Sequence, residues 1–313
     1  MLIHGDSRVR MASLDRGSFQ TIVTSPPYYN LRDYGISGMG NETSVAAYVK
    51  NLVEFLGLAR LALRDDGTLW LNLGDTYKDR QQLGVPWAVA FAMIANGWRL
   101  RQDIIWSKPS PMPGASAGKF TNSHEHVFLF SKGDDYFFDA DAVREVRAGG
   151  DGTRSRRNVW TIAGSDGGLS HSHYAAMPIE LARVCIAAST SDGGCCASCG
   201  AAFARQTVRT KVPRDRPNRW TRRVGAPGTG NACANTVAGT DVATVGWEKR
   251  CDCETSDIAR CLVLDPFGGV GSTHIAADEL DRCCTAIEIS AEFFIDGTQR
   301  IQKAKERRTW KAK

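Results

Sequence analysis

Thr21-Ile22-Val23-Thr24-Ser25-Pro26-Pro27-Tyr28 runs from a β-branched, apolar segment directly into two consecutive prolines. The two rings fix two φ angles and remove two backbone donors, so the chain can neither extend a central strand nor enter a helix interior there. The stretch predicts a buried strand over 21–24 that ends in a stiff turn presenting one hydroxyl, free carbonyls and an aromatic ring. Such a turn suits a flat, amino-bearing ring, with acceptors for the NH2 group and a tyrosine face for stacking.

Working outward, strands and helices alternate at both ends of the chain, which predicts an α/β fold with a mostly parallel, doubly wound sheet. Tyr48, Leu52, Phe55, Leu56, Ala59 and Leu63 fall at helical spacing, with Thr43 or Ser44 as N-cap and Gly67 just beyond the end. Strands are expected over 69–73, 99–106, 126–131, 261–264 and 283–287. Helices are expected over 86–96, 177–188 and 272–280, with a last one from about Ala291. Two stretches break this rhythm. Residues 107–171 are rich in Gly, Pro, Ser and charge, and residues 190–257 hold most of the cysteines. Both read as insertions in a single domain spanning 1–313.

Leu262-Val263-Leu264-Asp265-Pro266-Phe267-Gly268-Gly269-Val270-Gly271-Ser272-Thr273 is a second strand–loop–helix junction. Its glycines let backbone approach a ligand at the carboxyl end of the sheet, where open α/β folds bind ligands. The spacing differs from G-x-G-x-x-G, so a nicotinamide dinucleotide is disfavoured. Glu288 ends the next expected strand and is placed to accept two hydrogen bonds from a ribose diol.

The composition is that of an ordinary globular protein, with 313 residues, 42% hydrophobic and 23% charged. The net charge of +5 is concentrated. Arg205, Arg209, Lys211, Arg214, Arg216, Arg219, Arg222 and Arg223 are opposed only by Asp215, which points to a polyanion partner. Neither a signal peptide nor an apolar run long enough for a membrane is visible, so a cytoplasmic protein with no membrane contact is expected. Ten cysteines in such a chain suggest metal ligation before disulfides. Cys196-x-x-Cys199-Gly200 and Cys251-x-Cys253 supply four thiolates for a structural, tetrahedral Zn2+, with Cys195 and Cys233 as spare ligands. His124 and His126 read as polar residues at a strand edge rather than as metal ligands, and Asp75 is expected to face the cleft.

Taken together, Ser25-Pro26-Pro27-Tyr28 and the 265–273 loop resemble the S-adenosylmethionine-dependent DNA amino-methyltransferases, in the permuted order that puts the catalytic motif first. The resemblance implies a Rossmann-like methyltransferase fold with S-adenosyl-L-methionine as cofactor. Ser25, Pro26, Pro27 and Tyr28 would be catalytic: the Pro26 carbonyl and the Ser25 hydroxyl accept the amine hydrogens while Tyr28 stacks on an extruded base. Asp265, Phe267, Gly269 and Gly271 would surround the methionine and sulfonium, and Glu288 the ribose. Asp6, in His4-Gly5-Asp6-Ser7, matches an acidic position near the adenine, and His173 and Tyr174 the segment beside the methionine carboxylate.

The expected partner is double-stranded DNA, with residues 107–171 as the target-recognition region and 190–257 as a zinc-binding, basic insert. Arg32, Lys108, His124, Arg156, Arg157, Arg214 and Arg216 are the candidate DNA contacts. Relatives of this kind often work as dimers, so the resemblance implies a homodimer. Serine at the first motif position is commoner in N4-cytosine enzymes, whereas adenine enzymes dominate the class. The sequence alone leans to N6 of adenine, with N4 of cytosine as the alternative. A zinc-ribbon nucleic-acid-binding protein without activity is disfavoured because both motifs are intact.

Overall fold

The computed structural model describes residues 1–31, 38–111, 118–147, 152–164, 176–213 and 237–311. In chain order the first elements are β1 (Leu2–His4), α1 (Ser7–Met11), β2 (Phe19–Thr24), α2 (Val45–Ala62) and β3 (Leu63–Leu73). A small pair, β4 (Tyr77–Lys78) and β5 (Gln81–Gln82), precedes α3 (Val85–Ala95), β6 (Arg99–Ser107) and β7 (His124–Ser131). Then follow β8 (Glu145–Val146), β9 (Thr153–Arg154), β10 (Val159–Thr161), α4 (Ile179–Ser189) and β11 (Cys195–Cys196). The long strands β12 (Ala204–Pro213) and β13 (Val237–Glu248) lead to β14 (Ile258–Ala259) and β15 (Leu262–Asp265). The chain closes with α5 (Ser272–Glu279), β16 (Cys283–Glu288) and α6 (Ala291–Lys311).

Eight strands form the central sheet in the order β1-β16-β15-β2-β3-β7-β6-β10. All neighbours are parallel except β7, which runs against both β3 and β6. Two consequences position the site. First, β15 and β2 are adjacent, with Leu264 opposite Ile22, so the loops leaving their carboxyl ends lie side by side. That is where the strand order reverses, the usual ligand crevice of an open sheet. Second, a reversed β7 brings its amino-terminal residues, Glu125 among them, to the same edge.

Side chains alternate across the sheet and feed two cores. Leu69, Leu71 and Leu73 of β3 join Tyr48, Leu52, Leu56 and Met93 from α2 and α3. Trp70, from the same strand, faces Leu181, Ile186 and Ala276 of α4 and α5. Its indole N–H reaches the Ser189 hydroxyl at 2.7 Å, which satisfies the one polar atom of a buried ring.

The expected mostly parallel sheet is present, and Ser44 caps α2 through the Ala47 N–H at 3.1 Å. Gly67, however, does not terminate a helix; it lies inside β3, which begins directly after α2. The 107–171 stretch is only partly an insertion, because β7 and β10 within it belong to the central sheet. Nor is 190–257 irregular. Its β12 and β13 form an antiparallel hairpin that continues onto β9 and β8, so the two stretches build one four-stranded sheet. The cause is visible in Val208, Thr210 and Val212, which alternate with Arg209 and Lys211 at strand period. Among the described residues no helix is long and apolar enough to cross a membrane.

Candidate active site

Three strands converge on the turn after β2. The Tyr28 hydroxyl donates to Glu125 Oε2 at 2.7 Å and accepts from Asn72 Nδ2 at 2.7 Å. Asn72 Nδ2 also reaches Glu125 Oε2 at 2.9 Å, and Ser25 Oγ stands 3.1 Å from the Tyr28 hydroxyl. Lys108, just past β6, donates to the other oxygen, Glu125 Oε1, and lies 4.5 Å from the centre of the Trp106 ring. Burial first, and then the charge of Glu125, push the Tyr28 phenol well above its ordinary range. The Tyr48 hydroxyl donates to the Pro27 carbonyl at 2.9 Å and fixes the proline turn. Gly74 is needed because a Cβ there would lie 2.7 Å from the Tyr28 ring. Among the described residues nothing donates to the Pro26 carbonyl. Asn72 Oδ1, in a residue only 2% exposed, is likewise a buried acceptor with no partner among them.

The glycine loop is bound to this turn from within. Asp265 is buried, and its Oδ1 accepts from Thr24 Oγ1 at 2.7 Å and from the Phe267 N–H at 3.1 Å. Burial raises its carboxyl above the usual carboxylate range. Asp265 thus ties the two loops together, and this oxygen is already committed within the protein. Gly269, at φ 49°, faces open space. Its N–H donates to Glu288 Oε2 at 2.8 Å, while Glu288 Oε1 accepts from the Ser290 N–H at 2.7 Å. Burial raises the Glu288 carboxyl too. Gly271 differs from Gly269: a Cβ there would meet Ile301 of α6 at 2.7 Å, so it serves helix packing. Phe267 packs on Phe55, with ring centres 4.6 Å apart.

Asp6 caps α1 through the Arg8 N–H at 2.8 Å, and Ser7 Oγ donates to the Pro266 carbonyl at 2.6 Å. The fold therefore gathers Asp6, Phe267, Gly269 and Glu288 around one loop. His173 and Tyr174 lie outside the described residues. Asp75, expected at the cleft, instead accepts from the Gly84 and Val85 N–H groups at 3.0 Å each and anchors the start of α3.

Cys196, Cys199, Cys251 and Cys253 bring their sulfurs within 4.8 Å of one another. Tetrahedral zinc with bonds of about 2.3 Å needs sulfurs roughly 3.8 Å apart, so the donor set fits. Cys195 points elsewhere, toward the Ala259 carbonyl at 3.4 Å, and is not part of the cluster. Cys233 lies outside the described residues.

The candidate DNA contacts divide. Lys108 is held by Glu125 inside the site rather than offered to phosphate. His124 is exposed at the rim and packs edge-on against His126, whose Nδ1 is 2.9 Å from Asp103. Arg156 donates to the Val143 carbonyl at 3.0 Å, and Arg157 to Glu145 at 2.9 Å. Arg205, from the basic run, is pinned between Asp139 at 2.9 Å and Asp192 at 2.5 Å. Arg32, Arg214 and Arg216 lie outside the described residues.

Sequence reasoning missed Glu125 and Asn72. Asn72 carried a signal, a polar side chain in the apolar run of β3 that had to find partners once buried.

Comparison with known proteins gives a consistent picture. The DNA methylase model of the N6/N4 methyltransferases matches residues 19–197. The type II methyltransferase M.SmaI of Serratia marcescens is 31% identical over 331 residues, covering 96% of this chain and 90% of that protein. M.Cfr9I of Citrobacter freundii is 38% identical over 222 residues, 61% of this chain and 73% of its own. Among solved structures, PvuII DNA methyltransferase, described as cytosine-N4-specific, superposes with a TM-score of 0.62 at 18% identity, over 98% of this chain and 91% of that one. The M1.HpyAVI–SAM complex superposes with a TM-score of 0.51 at 15% identity, over 96% and 98%.

Proposed function

Because the chain belongs to the DNA methylase family of S-adenosylmethionine-dependent amino-methyltransferases, we propose that it methylates the N4 amino group of a flipped cytosine in double-stranded DNA. The network joining Ser25, Tyr28, Asn72 and Glu125 carries this reading. An exocyclic amine delocalises its lone pair into the ring, so acceptors aimed at its hydrogens favour the pyramidal, positively charged nitrogen of the transition state. An ionised Glu125 can only accept, which obliges Tyr28 to donate to it. The Tyr28 oxygen then accepts from Asn72 and from the Ser25 hydroxyl. Ser25 keeps its lone pairs for the amine, beside the open carbonyl of Pro26.

S-adenosylmethionine, when bound, supplies the methyl group on a sulfonium that leaves as a neutral thioether. The open face of Gly269 and the Glu288 carboxylate fit its methionine and ribose parts. After transfer the methylated nitrogen is acidic enough to lose its proton to water, so Ser25 need not act as a base. Cytosine is favoured over adenine by Ser25 at the first motif position and by the specificity given for PvuII DNA methyltransferase. Adenine N6 is the other outcome of the same chemistry.

DNA contacts fit best on the connection between β6 and β7, which leaves the sheet beside Lys108 and returns at His124, at the edge that holds Ser25. A homodimer fits Trp87, Phe91 and Ile94, an exposed apolar row on α3. A structural zinc in the four-cysteine cluster completes the proposed cofactors.

The test is methyl transfer from tritiated S-adenosylmethionine to duplex DNA, RNA and protein in parallel. Label should enter DNA alone. Cofactor binding without labelled DNA would favour an inactive nucleic-acid-binding protein.

A further inference from the structure

The four cysteines do not flank one loop. Cys196 and Cys199 precede β12, whereas Cys251 and Cys253 follow β13, so their sulfurs meet where the hairpin begins and ends. A metal there ties the entry of the hairpin to its exit.

The cluster is also seated on the methyltransferase sheet. Gln20, near the start of β2, donates to the Gly200 carbonyl at 2.7 Å and accepts from the Leu262 N–H at 2.5 Å. Arg64, near the start of β3, donates to the Cys199 carbonyl. Gly200 has a φ of 73°, and a Cβ there would lie 3.1 Å from Arg64 and 3.2 Å from Gln20. The turn is thus shaped to this seat. Both anchors lie at the amino-terminal edge of the sheet, whereas Ser25 and Asp265 end their strands at the carboxyl edge.

We propose that zinc held by Cys196, Cys199, Cys251 and Cys253 is a clamp that closes the root of the β12–β13 hairpin and seats it on the amino-terminal edge of the sheet, remote from the chemistry. The proposal rests on the zinc assignment made above and adds what the metal does. Zinc loss releases the hairpin and leaves the cofactor pocket intact.

The experiment uses the full chain. Metal analysis of the purified protein should find about one zinc per chain, as a four-thiolate site requires. The folded protein is then stripped with a chelator, and a Cys199→Ser, Cys253→Ser variant is prepared alongside. Trypsin cleavage within 204–249 should become at least about tenfold faster in both, while cofactor affinity by calorimetry stays within about twofold. Metal-free, folded protein with four titratable cluster thiols would overturn the zinc assignment itself. Bound zinc whose removal leaves the hairpin protected would overturn the clamp alone. Loss of cofactor binding together with hairpin protection would also overturn it, because the metal would then hold the whole fold.

Discussion

Tyr28 and Glu125 are 97 positions apart in the chain, yet the Tyr28 phenol donates to the Glu125 carboxylate across 2.7 Å. The contact exists because β7 runs against its neighbours and delivers its amino-terminal end to the edge where β2 finishes. It gives the Ser25–Tyr28 turn a direction: an acceptor at one end of the chain of hydroxyls leaves an acceptor at the other.

Glu125→Gln can donate as well as accept, so the direction is no longer fixed. Turnover should fall about 10- to 100-fold, the loss expected for one buried, charge-assisted hydrogen bond, with cofactor affinity unchanged. Tyr28→Phe should lose a similar amount, and the double variant should be no worse than either single one. Fully additive losses in this double-mutant cycle would show that the two residues act separately.

The two largest influences on Tyr28, burial and the charge of Glu125, disfavour the phenolate and outweigh the opposing hydrogen bond with Ser25. Its proton therefore stays in place above the ordinary tyrosine pKa of about 10. Turnover should show no alkaline break from this residue up to about pH 10, as measured in rate–pH profiles. A break near 10 that disappears in Tyr28→Phe would contradict this.

The two loop glycines should separate. Gly269→Val projects into open space and should abolish cofactor binding in a protein that still folds. Gly271→Ala meets Ile301 and should instead lower stability by about 1–3 kcal/mol, the range for overpacking. Calorimetry and denaturant melts on both variants distinguish the roles; equal effects would not fit.

Arg205 was expected to face a polyanion, but its side chain is only 13% exposed between Asp139 and Asp192. Arg205→Ala should cost about 3 kcal/mol of unfolding free energy, because it strands a buried carboxylate. Arg209→Ala, at a side chain 54% exposed, should cost less than about 1 kcal/mol. Urea unfolding of both variants checks the contrast, and equal costs would sink it.

Much of this arrangement was legible in the chain. Periodicity placed α3, β16 and the start of α2 within a residue or two, because each has a clean apolar face and a nearby boundary signal such as Ser44 or Gly97, whereas α2 ends at Ala62, short of Gly67. Prolines and glycines marked the two loops for the same local reason. What escaped depended on register between distant strands. Nothing near Glu125 in sequence says that β7 sets Asn72 against Val127, or that Asp265 turns inward to Thr24. The β12–β13 hairpin was missed although its alternation is plain, since its charged residues read as an exposed run. The four cysteines were found because ligand spacing is itself a local signal.

The most direct test is the identity of the methylated nucleoside. Duplex DNA treated with the purified protein and S-adenosylmethionine carrying a deuterated methyl group is digested to nucleosides and separated by mass spectrometry. Labelled N4-methyldeoxycytidine is the predicted product, and it should vanish with Ser25→Ala. Labelled N6-methyldeoxyadenosine would contradict the cytosine assignment while keeping the chemistry, and label on a ring carbon or absent from DNA would contradict amino-methylation itself.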